Sequence, residues 1–399
     1  MLTNKYHILY EQFINDIETT GLKKTQDNLK NILISQNYKI SLIGQDQLKT
    51  NFFYRILNFI KFLITRKLLT KEKNHYFNKK KINVYEILNI NLLDKLYSVF
   101  FNTNLEIKLN DQIFDLVHSP FINSLKYMNT KKKIITIHDA IPFDYPDFYN
   151  KNKFLLFFTK KFHQRCIDNC DAVITVSKYS KNRILYHFKI KSEKIHVLYH
   201  PYISPNYKNF NLKLFDSNFI KSNHYYIFFG AFEPKKNILF LIKSFIQVNS
   251  KHKLLLIKSK GWKNKEIFKF INSLSDFHRQ KIIIIDHQTI DNLITYIKYS
   301  RALIFPSLVE GFGLPIIEAS DLGTPVILSD IPVFRELFDD YKFFINPMNS
   351  NDLIATVKYL DIESNLSFEK KNIIKSKKFN LSKFKRELNN IYTTVLNEK

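Results

Sequence analysis

Short apolar runs alternate with helical segments along most of this 399-residue chain, and the alternation occurs twice. In the first half, Tyr6–Tyr10, Lys39–Ile43, Ile113–Val117, Lys133–Ile137, Ala172–Val176 and Ile195–Leu198 read as strands. Helices are expected near Leu29–Leu33 and over Phe154–Cys170 and Lys181–Phe188. A polar, irregular stretch from His200 to Asn223 holds Pro201 and Pro205 and reads as a linker. Beyond it, strands at Tyr225–Phe229, Lys253–Ile257, Lys281–Ile285, Ala302–Phe305, Pro325–Leu328 and Phe343–Ile345 are separated by helical stretches. Such alternation predicts parallel α/β sheets. The expected domains are 1–203 and 204–378, each doubly wound and Rossmann-like. An amphipathic helix within 379–399 is expected to pack back on the first domain. Two such domains put a ligand cleft between them, at the carboxyl ends of the strands.

Composition narrows the class. Hydrophobic residues make up 45% and charged residues 24%, so a packed core is expected rather than disorder. Two cysteines four apart, Cys166 and Cys170, cannot form a disulfide scaffold and read as buried thiols of a reducing compartment. The start of the chain shows no signal-peptide pattern and no uncharged apolar run is long enough to span a bilayer, so a cytoplasmic-side protein is expected. The net charge of +25 admits nucleic acid, an anionic membrane or phosphorylated substrates as partners, or lysine drift. Residues 51–81 hold nine Lys or Arg against Glu72 alone. Phe52–Leu69 mixes these cations with Phe, Ile and Leu, as a basic amphipathic helix on the inner face of a cytoplasmic membrane would. A core helix followed by a solvated lysine run is the competing reading.

Only seven glycines occur, where roughly 7% usage would give about 28. Those that remain mark candidate places where the backbone needs glycine. Gly311 and Gly313 fall in the run Phe305-Pro-Ser-Leu-Val-Glu310-Gly311-Phe312-Gly313-Leu314-Pro315-Ile-Ile-Glu318-Ala319. A strand ends in a glycine loop, and Pro315 suits a first helical turn. Glycines approaching a helix N-terminus form an anion site. Carboxylates on either side would repel a phosphate unless aimed at neighbouring hydroxyls, which suggests a ligand with phosphate and sugar hydroxyls on both sides, a nucleotide sugar. A second run, Gly230-Ala-Phe-Glu-Pro-Lys235-Lys236-Asn237, puts two lysines at a strand–helix junction facing the cleft, where they would neutralise an anionic group of a ligand. Asn237 is positioned to cap the next helix.

The first run resembles the signature of the retaining family 4 glycosyltransferases of GT-B fold, with features of their mannosyltransferase-like branch. The resemblance implies that Glu310 contacts the donor sugar and Glu318 the ribose hydroxyls. It places Gly311, Phe312, Gly313 and Leu314 against the sugar and diphosphate. Lys235 and Lys236 stand where the family has Arg then Lys, so the bidentate fork is lost while the charge is kept. In Thr136-Ile-His138-Asp139, His138 resembles the histidine that contacts the donor, with Asp139 orienting it or capping the next turn. His118, also at a strand end, is a weaker candidate. Gly21 resembles the glycine loop after the first strand, and Gly230 the donor-side strand end. Gly261 belongs to a Lys258-Ser-Lys-Gly-Trp262 stretch similar to the family's. The resemblance implies a nucleotide diphosphate sugar donor, a glycan or lipid-linked acceptor, and a front-face retaining transfer in cell-surface polysaccharide synthesis. Neither metal nor cofactor is expected, because no Asp-x-Asp strand end, zinc cluster, Walker loop or complete Gly-x-Gly-x-x-Gly occurs. A non-catalytic GT-B subunit stays open, since Lys235 departs from the pattern. A nucleic-acid binder stays open on charge alone, without a motif to support it.

Overall fold

The computed structural model describes residues 6–12, 21–36, 38–44, 106–107, 113–122, 126–127, 129–149, 153–203, 210–215, 224–339, 341–362 and 377–398. The basic stretch 51–81 lies outside them.

Two six-stranded sheets carry the fold. The first contains β1 (His7–Gln12), β2 (Lys39–Gly44), β3 (Phe114–Ser119), β4 (Thr130–Thr136), β5 (Ala172–Thr175) and β6 (Ile195–Val197), in the order β2-β1-β3-β4-β5-β6. The second contains β7 (Tyr225–Ala231), β8 (Lys253–Ser259), β9 (Ile282–Asp286), β10 (Leu303–Phe305), β11 (Val326–Ser329) and β12 (Phe344–Ile345), in the order β9-β8-β7-β10-β11-β12. All these pairings are parallel. Helices cover both faces of a parallel sheet, so its central strands must be apolar throughout rather than alternating. Tyr225–Phe229 of β7 and Leu254–Ile257 of β8 are accordingly buried without a break. In the second sheet, β7 and β10 flank the point where strand order reverses, and ligands of such sheets bind at that point.

Helical spacing explains how the layers close. Helix α1 is Gly21–Ser35, so Gly21 opens a helix rather than sitting in a loop before one. Helix α2 is Lys153–Asp168 and α3 is Lys178–His187. The latter starts three residues before the expected Lys181, because the Ser177 side chain accepts a hydrogen bond from the Ser180 amide and caps it. In α4 (Ile238–Phe245), Ile238, Leu241, Ile242 and Phe245 recur at core spacing and are buried. Asn237 precedes this helix but does not cap it with its side chain. It adopts a left-handed conformation, and its Nδ2 donates to the Pro347 carbonyl at 2.8 Å. Helix α5 is Leu314–Asp321, and α6 is Pro332–Leu337.

The last helix, α7 (Leu381–Asn397), buries Phe384, Leu388, Ile391, Tyr392 and Val395. These pack with Ile8, Tyr10, Leu116, Ile134 and Ile174 of the first sheet. The chain therefore leaves the second domain near Phe379 and completes the core of the first. His118 is fully buried at this junction, 2.5 Å from the Tyr392 hydroxyl and 2.9 Å from Thr136 Oγ1. Leu388→Ala should cost about 2–5 kcal/mol of unfolding free energy, because the surrounding helix and sheet cannot collapse onto the space. Urea unfolding of the variant beside the parent chain measures it.

Candidate active site

The reversal point of the second sheet gathers charge. Strand β7 ends beside Gly230, whose φ of +142° is readily reached only by glycine. The chain turns through Glu233 and a short 3-10 turn, Pro234–Lys236. Strand β10 delivers the adjacent loop Pro306–Gly313, and the two loops are tied by the Leu308 amide donating to the Lys235 carbonyl at 2.8 Å. Glu310 thereby enters a buried cluster. Its Oε1 lies 2.5 Å from Lys236 Nζ and accepts from Ser307 Oγ at 2.8 Å, and its Oε2 lies 3.4 Å from Lys235 Nζ. Lys235 is also 3.6 Å from Glu233. Lys236 Nζ sits 4.7 Å from the centroid of the Phe305 ring, a cation–π contact.

Burial by itself would raise the Glu310 pKa. The two ammonium groups and the hydrogen bonds from Lys236 and Ser307 overcome it and hold the carboxyl at about 2. Lys235 is raised, since Glu310, Asp139, Glu233 and Tyr149 outweigh its own desolvation. Lys236 is lowered by burial, despite the carboxylate beside it, with Lys235 adding to the effect. Glu233 is raised by burial against the pull of both lysines. The cluster is a fixed carboxylate between two cations, one of them held charged.

The glycines beyond it serve close approach. A Cβ on Gly311 would stand 3.1 Å from both the Asp139 Cβ and the His138 carbonyl oxygen, so the two domains meet there. The Ser177 hydroxyl donates to the Gly311 carbonyl at 2.9 Å. Gly313 precedes α5 with φ +133°, and a Cβ there would be 3.0 Å from the Phe334 ring. Pro315 falls in the first turn of α5. The domains are bridged at further points. Both carboxylate oxygens of Glu336 accept from the α3 amides of Lys178 and Tyr179, each at 2.7 Å. Trp262 Nε1 donates to the Phe148 carbonyl at 2.7 Å.

A cavity between the domains is lined by His118, Thr136, His138, His200, Leu314 and Glu318, among others. His138 is half-buried, its Nε2 3.2 Å from the Pro120 carbonyl. Its ring stacks on His200 at 5.7 Å, and His200 meets Phe312 edge-on at 5.0 Å. Asp139 does not orient His138; its Oδ1 accepts from the Ile141 amide at 3.0 Å and caps the next turn. Burial lowers the pKa of all three histidines, to about 3 for His118 and His200.

Glu310, Lys235 and Lys236 thus come together, Gly230, Gly311 and Gly313 lie on the same two loops, and His138, Phe312, Leu314 and Glu318 line or adjoin the cavity between the domains. Gly21 is placed only as the first residue of α1. His118 is a structural tie to α7. Sequence reading missed His200 and Tyr149, the latter close enough to sense the charges of Lys235, Glu233 and Glu310. The polar pair Tyr199-His200 directly after a strand run carries the same signal that drew attention to His138. Gly261 was read only by similarity, but a Cβ there would fall 2.2 Å from the Phe232 carbonyl oxygen, so no other residue fits without moving the backbone.

A histidine whose pKa is lower folded than unfolded adds stability in full above the unfolded value near 6.5. That stability is lost as pH falls from there toward the folded value near 3. The melting temperature should therefore drop between pH 6.5 and about 5, before carboxylates titrate. His200→Gln should flatten that slope in melting scans across this range.

Residues 64–202 match the family described as Glycosyltransferase Family 4, and residues 210–377 match Glycosyl transferases group 1. An O-antigen chain mannosyltransferase, RfbU of Salmonella typhimurium, is 30% identical over 231 residues, 58% of this chain and 61% of that protein. The match therefore spans about three-fifths of that relative's length. Among solved structures, a glycosyltransferase from Rickettsia africae superposes with a TM-score of 0.61 at 18% identity, covering 99% of this chain and all of that one. Anabaena Alr3699/HepE in complex with UDP-glucose gives a TM-score of 0.62 at 14% identity, over 98% of this chain and 100% of that one. The fold is GT-B, as the resemblance implied, and the chain belongs to glycosyltransferase family 4.

Proposed function

We propose that this chain transfers a hexose, mannose in the nearest reading, from a nucleotide diphosphate sugar to a hydroxyl of a growing glycan, with retention at the anomeric carbon. The observation that carries this is the buried Lys235–Lys236–Glu310 cluster at the sheet reversal, next to the glycine-flanked N-terminus of α5. The O-antigen mannosyltransferase name of its Salmonella relative supports the sugar, and the UDP-glucose complex of its Anabaena neighbour supports the donor class.

Each part has a chemical task. The anomeric carbon–phosphate bond breaks while the acceptor oxygen bonds to the same face of the sugar. The departing phosphate oxygen takes the acceptor proton. Negative charge grows on the diphosphate, and preorganised cations aimed there lower the barrier more than any other device. Lys235 and Lys236 supply that charge, and the N-terminal end of the α5 dipole adds to it. Glu310 compensates the lysines without donor, so the diphosphate takes over their pairing when it binds, and the carboxylate turns to the sugar hydroxyls. Glu318 holds the ribose from the cavity side. His138 lies at the cavity and donates or accepts a hydrogen bond to the donor. No metal is needed in this account. A lipid-linked acceptor, with the enzyme on the inner face of the cytoplasmic membrane, suits an O-antigen setting.

Lys236→Ala should lower kcat/KM by about 10²–10³-fold, the usual effect of deleting one charge-stabilising donor. Glu310→Gln should abolish transfer and lower the ligand-free melting temperature, because it leaves Lys236 without its carboxylate and Lys235 with Glu233 alone. It should also enlarge the thermal shift given by a nucleoside diphosphate alone, since neither lysine is then held by Glu310. A thermal-shift screen over nucleoside diphosphates and nucleotide sugars reads this directly. Absence of any shift overturns the reading. A shift without transfer to any acceptor points to the nucleotide-sugar-binding subunit instead.

A further inference from the structure

Helix α2 buries apolar residues in its second half and exposes three in its first half. Phe162, Cys166 and Ile167 are buried, whereas Phe154, Leu155 and Phe157 are 71%, 50% and 53% exposed. Three large apolar side chains within four residues are an interaction surface rather than scattered exposure. Phe154, Phe157 and Lys161 recur at helical spacing on one face. Lys161 Nζ lies 4.6 Å from the Phe157 ring, so a cation borders the apolar surface. From Tyr149 to Ile167 the chain has no Asp or Glu and five cations: Lys151, Lys153, Lys160, Lys161 and Arg165.

We propose that the first two turns of α2 dock on an anionic lipid bilayer, with Phe154, Leu155 and Phe157 entering the headgroup boundary and the lysines meeting lipid phosphates. Aromatic and aliphatic side chains edged by Lys and Arg match that boundary in both polarity and charge. Charge decides against the other occupants. A second copy of this +25 chain would set like charges together at this face. The chain's own basic stretch 51–81 would do the same.

The surface follows closely on a point where the two domains touch. Tyr149 meets Trp262 of the second domain with ring centroids 5.6 Å apart, and Phe154 follows Tyr149 by five residues, a reach of at most about 18 Å. Docking there would hold the cleft mouth against the membrane, where a lipid-linked acceptor lies. This consequence, unlike the docking, rests on the transferase reading.

Co-sedimentation of the full chain with phosphatidylcholine vesicles, with and without phosphatidylglycerol, tests the docking without donor or acceptor. Wild-type protein should partition onto the anionic vesicles, weakening with salt. The Phe154→Ser/Phe157→Ser variant should lose about tenfold or more of that partition. Lys160→Glu/Lys161→Glu should abolish the preference for anionic lipid. Both variants should keep the parent melting temperature and its shift with a nucleoside diphosphate. Equal partition of the Phe variant and wild type overturns the proposal, as does equal binding to neutral vesicles. A wild-type dimer that the Phe variant converts to monomer overturns it in favour of a second copy. Failure here leaves the transferase reading standing, and failure of transfer leaves vesicle binding standing.

Discussion

Two ammonium groups and a carboxylate buried together at the end of a parallel sheet are the constraint around which the rest is arranged. Burying any one of them alone would be costly. Together they are tolerable because Lys235, Lys236, Glu310 and Ser307 come within contact distance. That closeness follows from strand order. β7 and β10 are neighbours although 71 residues separate the ends Ala231 and Leu303, and the loops leaving them have no alternative but to meet. The Leu308–Lys235 backbone hydrogen bond then fixes their spacing.

The second domain supplies this charge and the first supplies its enclosure. Gly311 can press on His138 and Asp139 only because it has no side chain. Glu336 reaches across to the opening amides of α3, and Trp262 reaches Phe148 on another side of the interface. Desolvation lowers the pKa of the fully buried His118 and of the half-buried His138 and His200, and so favours their uncharged forms. They present hydrogen-bonding groups there without adding to the positive charge that the lysines already provide. Helix α7 belongs to this architecture as well. It crosses to the first sheet and supplies Tyr392 to His118, so the chain's last element sets the packing behind the cavity.

Much of this was legible along the chain, and the reasons are local. Fully apolar runs such as Tyr225–Phe229 are what a doubly covered strand demands. In a chain this poor in glycine, Gly230, Gly311 and Gly313 stand out, and Gly230 and Gly313 do adopt backbone angles hostile to other residues. Element ends were less legible. The cap that starts α3 at Lys178 depends on Ser177 turning its hydroxyl to the Ser180 amide. Asn237 looked like a cap by type, yet its side chain found a better partner in the Pro347 carbonyl, 110 residues away.

The sequence by itself determined the parallel α/β class, the family, and the two loops that carry opposite charges, because these are written in local periodicity and contiguous motifs. It could not determine which groups pair. That Lys236 binds Glu310 rather than solvent, that His118 is tied to Tyr392, that His200 stacks on His138, and that Phe154 and Phe157 are left bare are outcomes of long-range closure. Each depends on residues far apart in the chain being brought within a few ångströms, and the energies of burial and pairing that decide them exist only once both domains are folded together.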